Sequence, residues 1–307
     1  MFNYARLSKR PAIFRSFTGL EVSEFDSICA KVESRYDEFE RQRLSKEDRK
    51  NKIGAGRPFK LSLKNRLLML FMYYRLYVTS ILAGFLFDLD QSNVLKDIRM
   101  IAPLVKECVP LPKKVYGRVR RVRTLEEVEE YFPGFKAMID ALEQEIPRPK
   151  DREKRKSHYS GKKRRHTVKT QLTVNSNGLI VHKTNHARGR RHDYAIFKQN
   201  HPELPDGVRP YVDLGYFGIQ NDYPELDAAI PFKRSRWRRE ALTEEQKASN
   251  KKLAKVRVVV EHTISRLKKF RIMGDEFRNR LKRYDVMSDI VCGLVNLRIL
   301  GSGAVIP

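Results

Sequence analysis

The feature that most constrains the fold is a change of hydrophobic period part-way along the chain. Up to about residue 131, apolar residues recur at steps of three and four, as on one face of an α-helix. From residue 135 onward, alternating stretches appear, and His166–Asn175 is typical of a half-buried strand. The Asn177-Gly178 turn and a second apolar stretch, Leu179–Asn185, then predict a β-hairpin. The pattern predicts an all-helical front part followed by an α/β part with a mixed sheet.

The helical front part contains a candidate DNA-binding motif. Its predicted helices are Glu21–Glu40, Ser62 to about Tyr77, Thr79–Phe87 and Gln91 to about Ala102. The short turn between the last two helices fits helix-turn-helix geometry, although a generic helical bundle shows the same pattern. In the helix-turn-helix interpretation, the recognition helix begins with Gln91, Ser92 and Asn93, whose side chains would face DNA base edges.

Two connecting segments indicate three domains. The segment Arg41–Pro58 is charged and contains glycine, which is typical either of a solvated connector or of an arm that follows a DNA backbone. Prolines then mark a second connector after residue 103. We expect an N-terminal helix and basic linker over 1–58, a helix-turn-helix domain over 59–130, and an α/β catalytic domain over 131–307.

The charge of the chain indicates a polyanionic partner. The 63 Lys and Arg residues against 37 Asp and Glu residues give a net charge of +26. The excess positive charges repel one another, and a polyanionic partner would offset that repulsion. Nucleic acid is the first candidate partner and a membrane surface the second. The three cysteines are far apart and lack the spacing of a zinc site or a disulfide framework, which fits a reducing cytosol. With no apolar stretch of membrane-spanning length and no signal peptide, we expect a cytoplasmic, nucleoid-associated protein.

The α/β part has one long helix that carries charged residues beside an apolar stripe. The other predicted elements are strands at Phe135–Ala141, Arg209–Asp213 and Ala228–Phe232 and helices at Asp193–His201 and Tyr284–Leu300. The long helix begins at Thr243, and Arg257, Glu261 and Lys268 share a face of it. A row of ordinary surface ion pairs shows the same spacing, so the face gains a function only if other acids meet Glu261.

Two such acids end predicted strands. Asp140 and Asp213 both take that position, and the sites of α/β sheets lie at strand ends. Taken alone, each is more typical of an ordinary strand-end or turn acid. If the two strands are neighbours and the long helix packs beside them, Asp140, Asp213 and Glu261 converge. Crowded carboxylates require hard divalent cations, and a pair of such ions can stabilise both the attacking and the leaving oxygen of a displacement at phosphorus.

Basic stretches lie between these acids. Four consecutive cations precede the strand at His166, where they form a solvated hairpin tip or hold a phosphate backbone: Lys162, Lys163, Arg164 and Arg165. Asp193 follows a second basic stretch, and we expect it to cap a helix rather than to bind a metal. Trp237 lies in a third, where it is either a surface aromatic or a stacking platform for an unpaired base.

Several motifs, in order, resemble the DDE insertion-sequence transposases, in the branch of DDE superfamily endonucleases related to Harbinger-type elements. The motifs are FRSFTGL, LYVTSILAGFLFDLDQSNV, IDALE, YSGKKRRHTVKTQ, HDYAIF, VDLGYFG, IPFKR, RVVVEHTISRLKKFRI and YDVMSDIVCGLVNLR. The sequence departs from the family pattern at Ala254, where a tyrosine is usual, and at Leu142, where a threonine is usual.

The resemblance implies an RNase H-like catalytic core preceded by a helix-turn-helix domain. It implies that Asp140, Asp213 and Glu261 bind two Mg²⁺ or Mn²⁺ ions, and that Arg257 and Lys268 hold phosphates. The implied activity is cutting of element ends at terminal inverted repeats and joining of those ends to target DNA by a homo-oligomer. The alternatives are a catalytically inactive DNA-binding regulator and a basic protein that binds or cleaves RNA.

Overall fold

A computed structural model of the chain describes residues 2–45, 52, 58–234 and 241–301. The helices are α1 Tyr4–Leu7, α2 Pro11–Thr18, α3 Val22–Leu44, α4 Leu63–Leu76, α5 Ser80–Phe87, α6 Gln91–Cys108, α7 Pro112–Val119, α8 Leu125–Tyr131, α9 Arg152–His158, α10 Asp193–Asn200, α11 Ile219–Asp222, α12 Glu244–Lys268, α13 Arg271–Gly274 and α14 Tyr284–Gly301. The strands are β1 Lys136–Glu145, β2 Tyr159–Ser160, β3 Arg165–Asn175, β4 Ile180–Lys183, β5 Ala187–Arg188 and β6 Arg209–Tyr211. Within the described ranges, no helix is both long and apolar enough to span a membrane.

The chain forms two compact units. The first unit comprises Met1–Val109, Lys269–Gly274 and Val286–Leu294, and the second comprises Pro110–Lys268, Asp275–Asp285 and Val295–Pro307.

The first unit is helical, and α4 forms its centre. Helices α2, α3, α5, α6 and α13 all contact α4, whose side chains from Arg66 to Tyr74 are buried. The buried Arg66 guanidinium pairs with Asp97 of α6 at 2.6 Å and donates to the Tyr36 hydroxyl at 2.7 Å. A buried charge is tolerated only when it is paired in this way, so the pair sets how α4 and α6 meet.

The predicted front helices are confirmed, but α6 is longer than predicted. It runs through Pro103 and ends at Cys108 instead of stopping near Ala102. Pro103 faces solvent, whereas Ile101, Leu104 and Val105 around it are buried. Packing of that apolar face therefore offsets the hydrogen bond that proline removes.

The second unit is built on a mixed sheet with the strand order β2-β3-β1-β6, in which β4 and β5 also pair with β3. Strands β1 and β3 are antiparallel, with Asp140 opposite Leu172, and β1 and β6 are parallel, with Met138 opposite Tyr211. Helix α12 packs on β1, β3 and β6, and the Thr263 hydroxyl of α12 donates to the Gly178 carbonyl at 3.1 Å. This arrangement confirms the predicted helical front part followed by a mixed-sheet α/β core.

Two strand predictions need correction. Strand β1 continues to Glu145, so Asp140 lies in mid-strand rather than at its end, because β3 pairs with β1 from Ala137 through Glu145. The predicted strand Ala228–Phe232 is reduced to one parallel bridge, Ala229 with Tyr211, because β6 stops at Tyr211.

Candidate active site

Asp140 is the most perturbed acid of the site. Its side chain is 21% exposed, and its Oδ1 accepts from the Ala141 backbone N–H at 2.7 Å. Burial raises the pKa of Asp140 to about 6, the Ala141 N–H and Arg257 oppose the rise, and the charges of Asp213 and Asp193 add to it. The three aspartates therefore lie within electrostatic range of one another, as in a site that gathers negative charge.

Asp213 reaches this site because β6 runs parallel to β1. It follows β6 by two residues, and its Oδ1 accepts from the Gly215 N–H at 2.8 Å. A Cβ at Gly215 would lie 2.9 Å from Oδ1 of Asp213 and 3.7 Å from Oδ2 of Asp193. Because glycine has no Cβ, the space beside the carboxylates of Asp213 and Asp193 stays open.

Asp193 belongs to the site, which corrects the prediction that it caps a helix. The N-cap of α10 is His192, whose side chain makes no cap hydrogen bond, and Asp193 is the first helical residue. The Asp193 carboxylate instead accepts from Nζ of Lys169 on β3 at 3.0 Å. The same ammonium donates to the Arg191 carbonyl at 2.9 Å, so Lys169 joins the basic turn before α10 to the acidic site.

Sequence reasoning also missed a buried polar layer next to the acids. Gln171 of β3 donates through Nε2 to the Tyr216 hydroxyl at 2.8 Å and to the Asp193 carbonyl at 3.3 Å. Tyr216 is fully buried, and burial raises its pKa well above its usual value. The signal available in the sequence was the presence of Lys169 and Gln171 in an otherwise apolar and threonine-rich strand.

Helix α12 brings Arg257, but not a complete acidic triad, to the site. Nη2 of Arg257 lies 3.5 Å from Oδ2 of Asp140, and its side chain is 13% exposed. Glu261, one turn further on, is exposed, as is Lys268 at the end of the helix. In the described part of the chain, no group of three or more His, Cys, Asp or Glu side chains could hold a metal ion. The assignment of Glu261 as third ligand stays a prediction.

The donor set at Asp140 and Asp213 fits a divalent cation. Both are hard carboxylate oxygen donors of the kind that Mg²⁺ and Mn²⁺ prefer. Burial is the main cause of the raised pKa of Asp140, and the charge of Asp213 adds a smaller repulsion that such an ion would relieve.

The predicted DNA-contacting residues other than Arg257 are exposed where the structure describes them. The β2–β3 hairpin presents Lys162, Lys163, Arg164 and Arg165 to solvent. In the first unit, Gln91, Ser92 and Asn93 are exposed at the start of α6, and the Gln91 amide donates to the Ser80 hydroxyl at 2.9 Å. Trp237 and most of the predicted basic linker lie outside the described residues.

Comparison with known proteins decides the family. The sequence model described as "DDE superfamily endonuclease" matches residues 139–296, a range that contains Asp140, Asp213 and Glu261. The chain belongs to the DDE superfamily endonuclease family. The model for the helix-turn-helix of this superfamily matches residues 59–110, which include α4, α5 and α6. The helix-turn-helix interpretation of the front part is therefore confirmed, and a DNA-binding role follows from it.

The chain is also similar to a protein described as a probable transposase for insertion sequence element IS702, from Microchaete diplosiphon. The two are 30% identical over 256 residues, which is 83% of this chain and 87% of the relative. No solved structure matches the chain.

Proposed function

We propose that this protein is a transposase that cuts the ends of its element and joins them to target DNA by metal-dependent phosphoryl transfer. The observation that carries the proposal is the position of Asp140 on β1 and of Asp213 two residues after β6, the parallel neighbour of β1, with Arg257 beside Asp140. The relative's description as a probable transposase supports the same reaction.

The residues have separable roles in this proposal. Asp140 and Asp213 would hold the metal ions, and Glu261 would complete the ligand set. Bound divalent ions would supply Lewis-acid stabilisation of the attacking and leaving oxygens. Arg257, now paired with Asp140, would turn its free donors to the scissile phosphate.

Exposed cations would position the DNA around that phosphate. Lys268 ends α12, and Lys162–Arg165 form the tip of the β2–β3 hairpin. In the first unit, α6 would read the terminal repeat through Gln91, Ser92 and Asn93. The cut forms a bond from the water oxygen to phosphorus, breaks the bond from phosphorus to the 3′-oxygen, and leaves a 5′-phosphate and a 3′-hydroxyl. In the joining step that 3′-hydroxyl bonds to a target phosphorus, and the target 3′-oxygen leaves as a hydroxyl. We expect a homo-oligomer to pair two ends.

The test is a nicking assay on duplex DNA that carries the inverted repeats flanking the open reading frame. Wild-type protein should release a 3′-hydroxyl end in Mg²⁺ or Mn²⁺ and not in EDTA. Asp140→Asn and Asp213→Asn should abolish nicking with DNA binding retained, and Glu261→Gln should do the same. The exposed Asp206→Asn variant is the matched control and should nick normally. Normal nicking by Asp140→Asn or Asp213→Asn would refute the metal site.

The alternative function, a DNA-binding regulator with an inactive site, is favoured by one observation. Glu261 is exposed and belongs to no group of carboxylates that could share a metal among the described residues. Wild-type protein that binds the terminal repeat but does not nick it in either metal would establish this alternative.

A further inference from the structure

A polar cavity of about 950 Å³ lies in the second unit between α9, β5 and α10. Its lining includes the cations Lys156, Arg188, Arg190 and Arg191. The cavity adjoins the candidate active site, because Lys169 bonds both to the Arg191 carbonyl in the cavity wall and to the Asp193 carboxylate.

The lining carries a surplus of positive charge. Arg188, Arg190 and Arg191 are exposed, and among the described residues no carboxylate forms an ion pair with any of them. Glu153 is the one acid among the described lining residues, and it lies 3.5 Å from Lys156. Three arginines without an acidic partner leave their fork-shaped donors free for an anion such as a phosphodiester.

The arginine turn is held in place by its backbone. The Gly189 N–H donates to the Thr167 carbonyl at 2.9 Å, and the Arg190 N–H to the Ser157 carbonyl at 3.3 Å. A Cβ at Gly189 would lie 1.9 Å from the Thr167 Oγ1 and 2.8 Å from the His158 carbonyl oxygen. Because only glycine fits there, the turn docks tightly against β3 and α9, unlike a freely solvated loop.

His186 adds an oriented imidazole to the cavity. The Asp285 carboxylate accepts from the His186 backbone N–H at 2.9 Å and lies 2.8 Å from Nδ1. Since a carboxylate can only accept, Nδ1 carries its proton there, and Nε2 is the ring nitrogen left for a ligand.

We propose that this cavity is a second backbone-binding site for DNA, which holds phosphates next to the one being cut. The proposal rests on the proposed function. Lys156, Arg188, Arg190 and Arg191 would bind the phosphates, and the amides of Asn185, Gln199 and Asn200 would contact the sugars. Such contacts are independent of sequence and fix the register of the strand over Asp140 and Asp213.

The experiment measures binding of a fluorescent 30-bp duplex of unrelated sequence in EDTA, as a function of NaCl concentration. The Arg188→Gln/Arg191→Gln variant should lower the slope of log K against log salt by about 1.8, since each phosphate contact contributes about 0.9. The control Arg280→Gln/Lys282→Gln removes the same charge from exposed positions outside the cavity and should keep the wild-type slope. Far-ultraviolet circular dichroism and thermal melting check folding.

If the double variant fails to fold, the single Arg190→Gln variant should still lower the slope by about 0.9. An unchanged slope in the cavity variants, or an equal fall in the control, would overturn the proposal. Because binding is measured without metal, the result does not depend on nicking. Wild-type protein that never nicks refutes the proposed function, whereas normal nicking with an unchanged slope refutes only the cavity site.

Discussion

Replacement of Asp140 by asparagine should stabilise the metal-free protein while it abolishes nicking. The pKa of Asp140 rises from its ordinary 3.8 to about 6 in the folded chain, mainly because the carboxyl is buried. A raised pKa means that folding favours the protonated form. The corresponding stability is fully present below pH 3.8 and is lost as the pH rises through about 6. An asparagine stays neutral throughout and keeps that stability at every pH.

The magnitude follows from the pKa shift. A shift of about two units corresponds to about 3 kcal/mol above pH 7 and to about half of that at pH 5. Asparagine also loses the 3.5 Å charge contact with Arg257, which offsets part of the gain. We therefore expect Asp140→Asn to raise the free energy of unfolding by about 1 to 3 kcal/mol at pH 7.5 and by less at pH 5.

Urea unfolding in EDTA at pH 5 and pH 7.5, followed by circular dichroism, measures the difference. Added Mn²⁺ should then stabilise the wild type, by about 2.7 kcal/mol at a hundredfold excess over Kd, and should leave the variant unchanged. The control Asp206→Asn changes an exposed carboxyl and should alter stability by less than about 0.5 kcal/mol. The reasoning fails if Asp140→Asn destabilises the protein at pH 7.5, or if its effect is the same at both pH values.

Three further predictions test other parts of the structure. Arg66→Met should cost about 3 to 5 kcal/mol in urea unfolding, because it leaves Asp97 buried without its partner, and Arg66→Met/Asp97→Leu should recover most of that loss. Gly189→Ala should lower the melting temperature and weaken binding of unrelated duplex DNA, because its Cβ would meet the Thr167 hydroxyl at 1.9 Å; unaltered melting would contradict the tight docking of that turn. Asn93→Ala should weaken binding of the terminal repeat by about 1 to 3 kcal/mol and leave binding of unrelated duplex unchanged in fluorescence anisotropy, whereas equal weakening on both DNAs would exclude base recognition.

Helices α3, α4 and α5 of the first unit were predictable because each has its own local signals, whereas α1 and α2 were not predicted. The hydroxyls of Ser62 and Thr79 cap α4 and α5, each directly before an apolar stretch. The C-terminal end of α6 was not predictable, because Pro103 is a local stop signal that packing of the buried face overrides. Helix α12 begins after Thr243, as predicted, because the Thr243 hydroxyl and two following glutamates suit a helix start.

For the candidate site, sequence reasoning identified Asp140 and Asp213 but assigned Asp193 to a different role. An aspartate that caps a helix and an aspartate that faces other carboxylates look alike in sequence when each stands at the start of a helix, as Asp193 does. The difference is that Lys169 approaches Asp193 from β3, and that contact joins residues 24 positions apart. Lys169, Gln171 and Tyr216 were missed for the same reason, because the partners that give them a role lie on other elements.

The sequence alone determined the class of this protein: a helical DNA-binding part, a mixed-sheet core and membership of the DDE superfamily endonuclease family. Periodicity, capping residues and short motifs are local properties, so they can be recognised from the sequence without knowledge of the fold. Only the tertiary structure decided which charges meet, because the parallel pairing of β1 with β6 and the packing of α12 on the sheet are long-range contacts. Those contacts place Arg257 beside Asp140, put Asp193 with the other two aspartates, and leave Glu261 exposed.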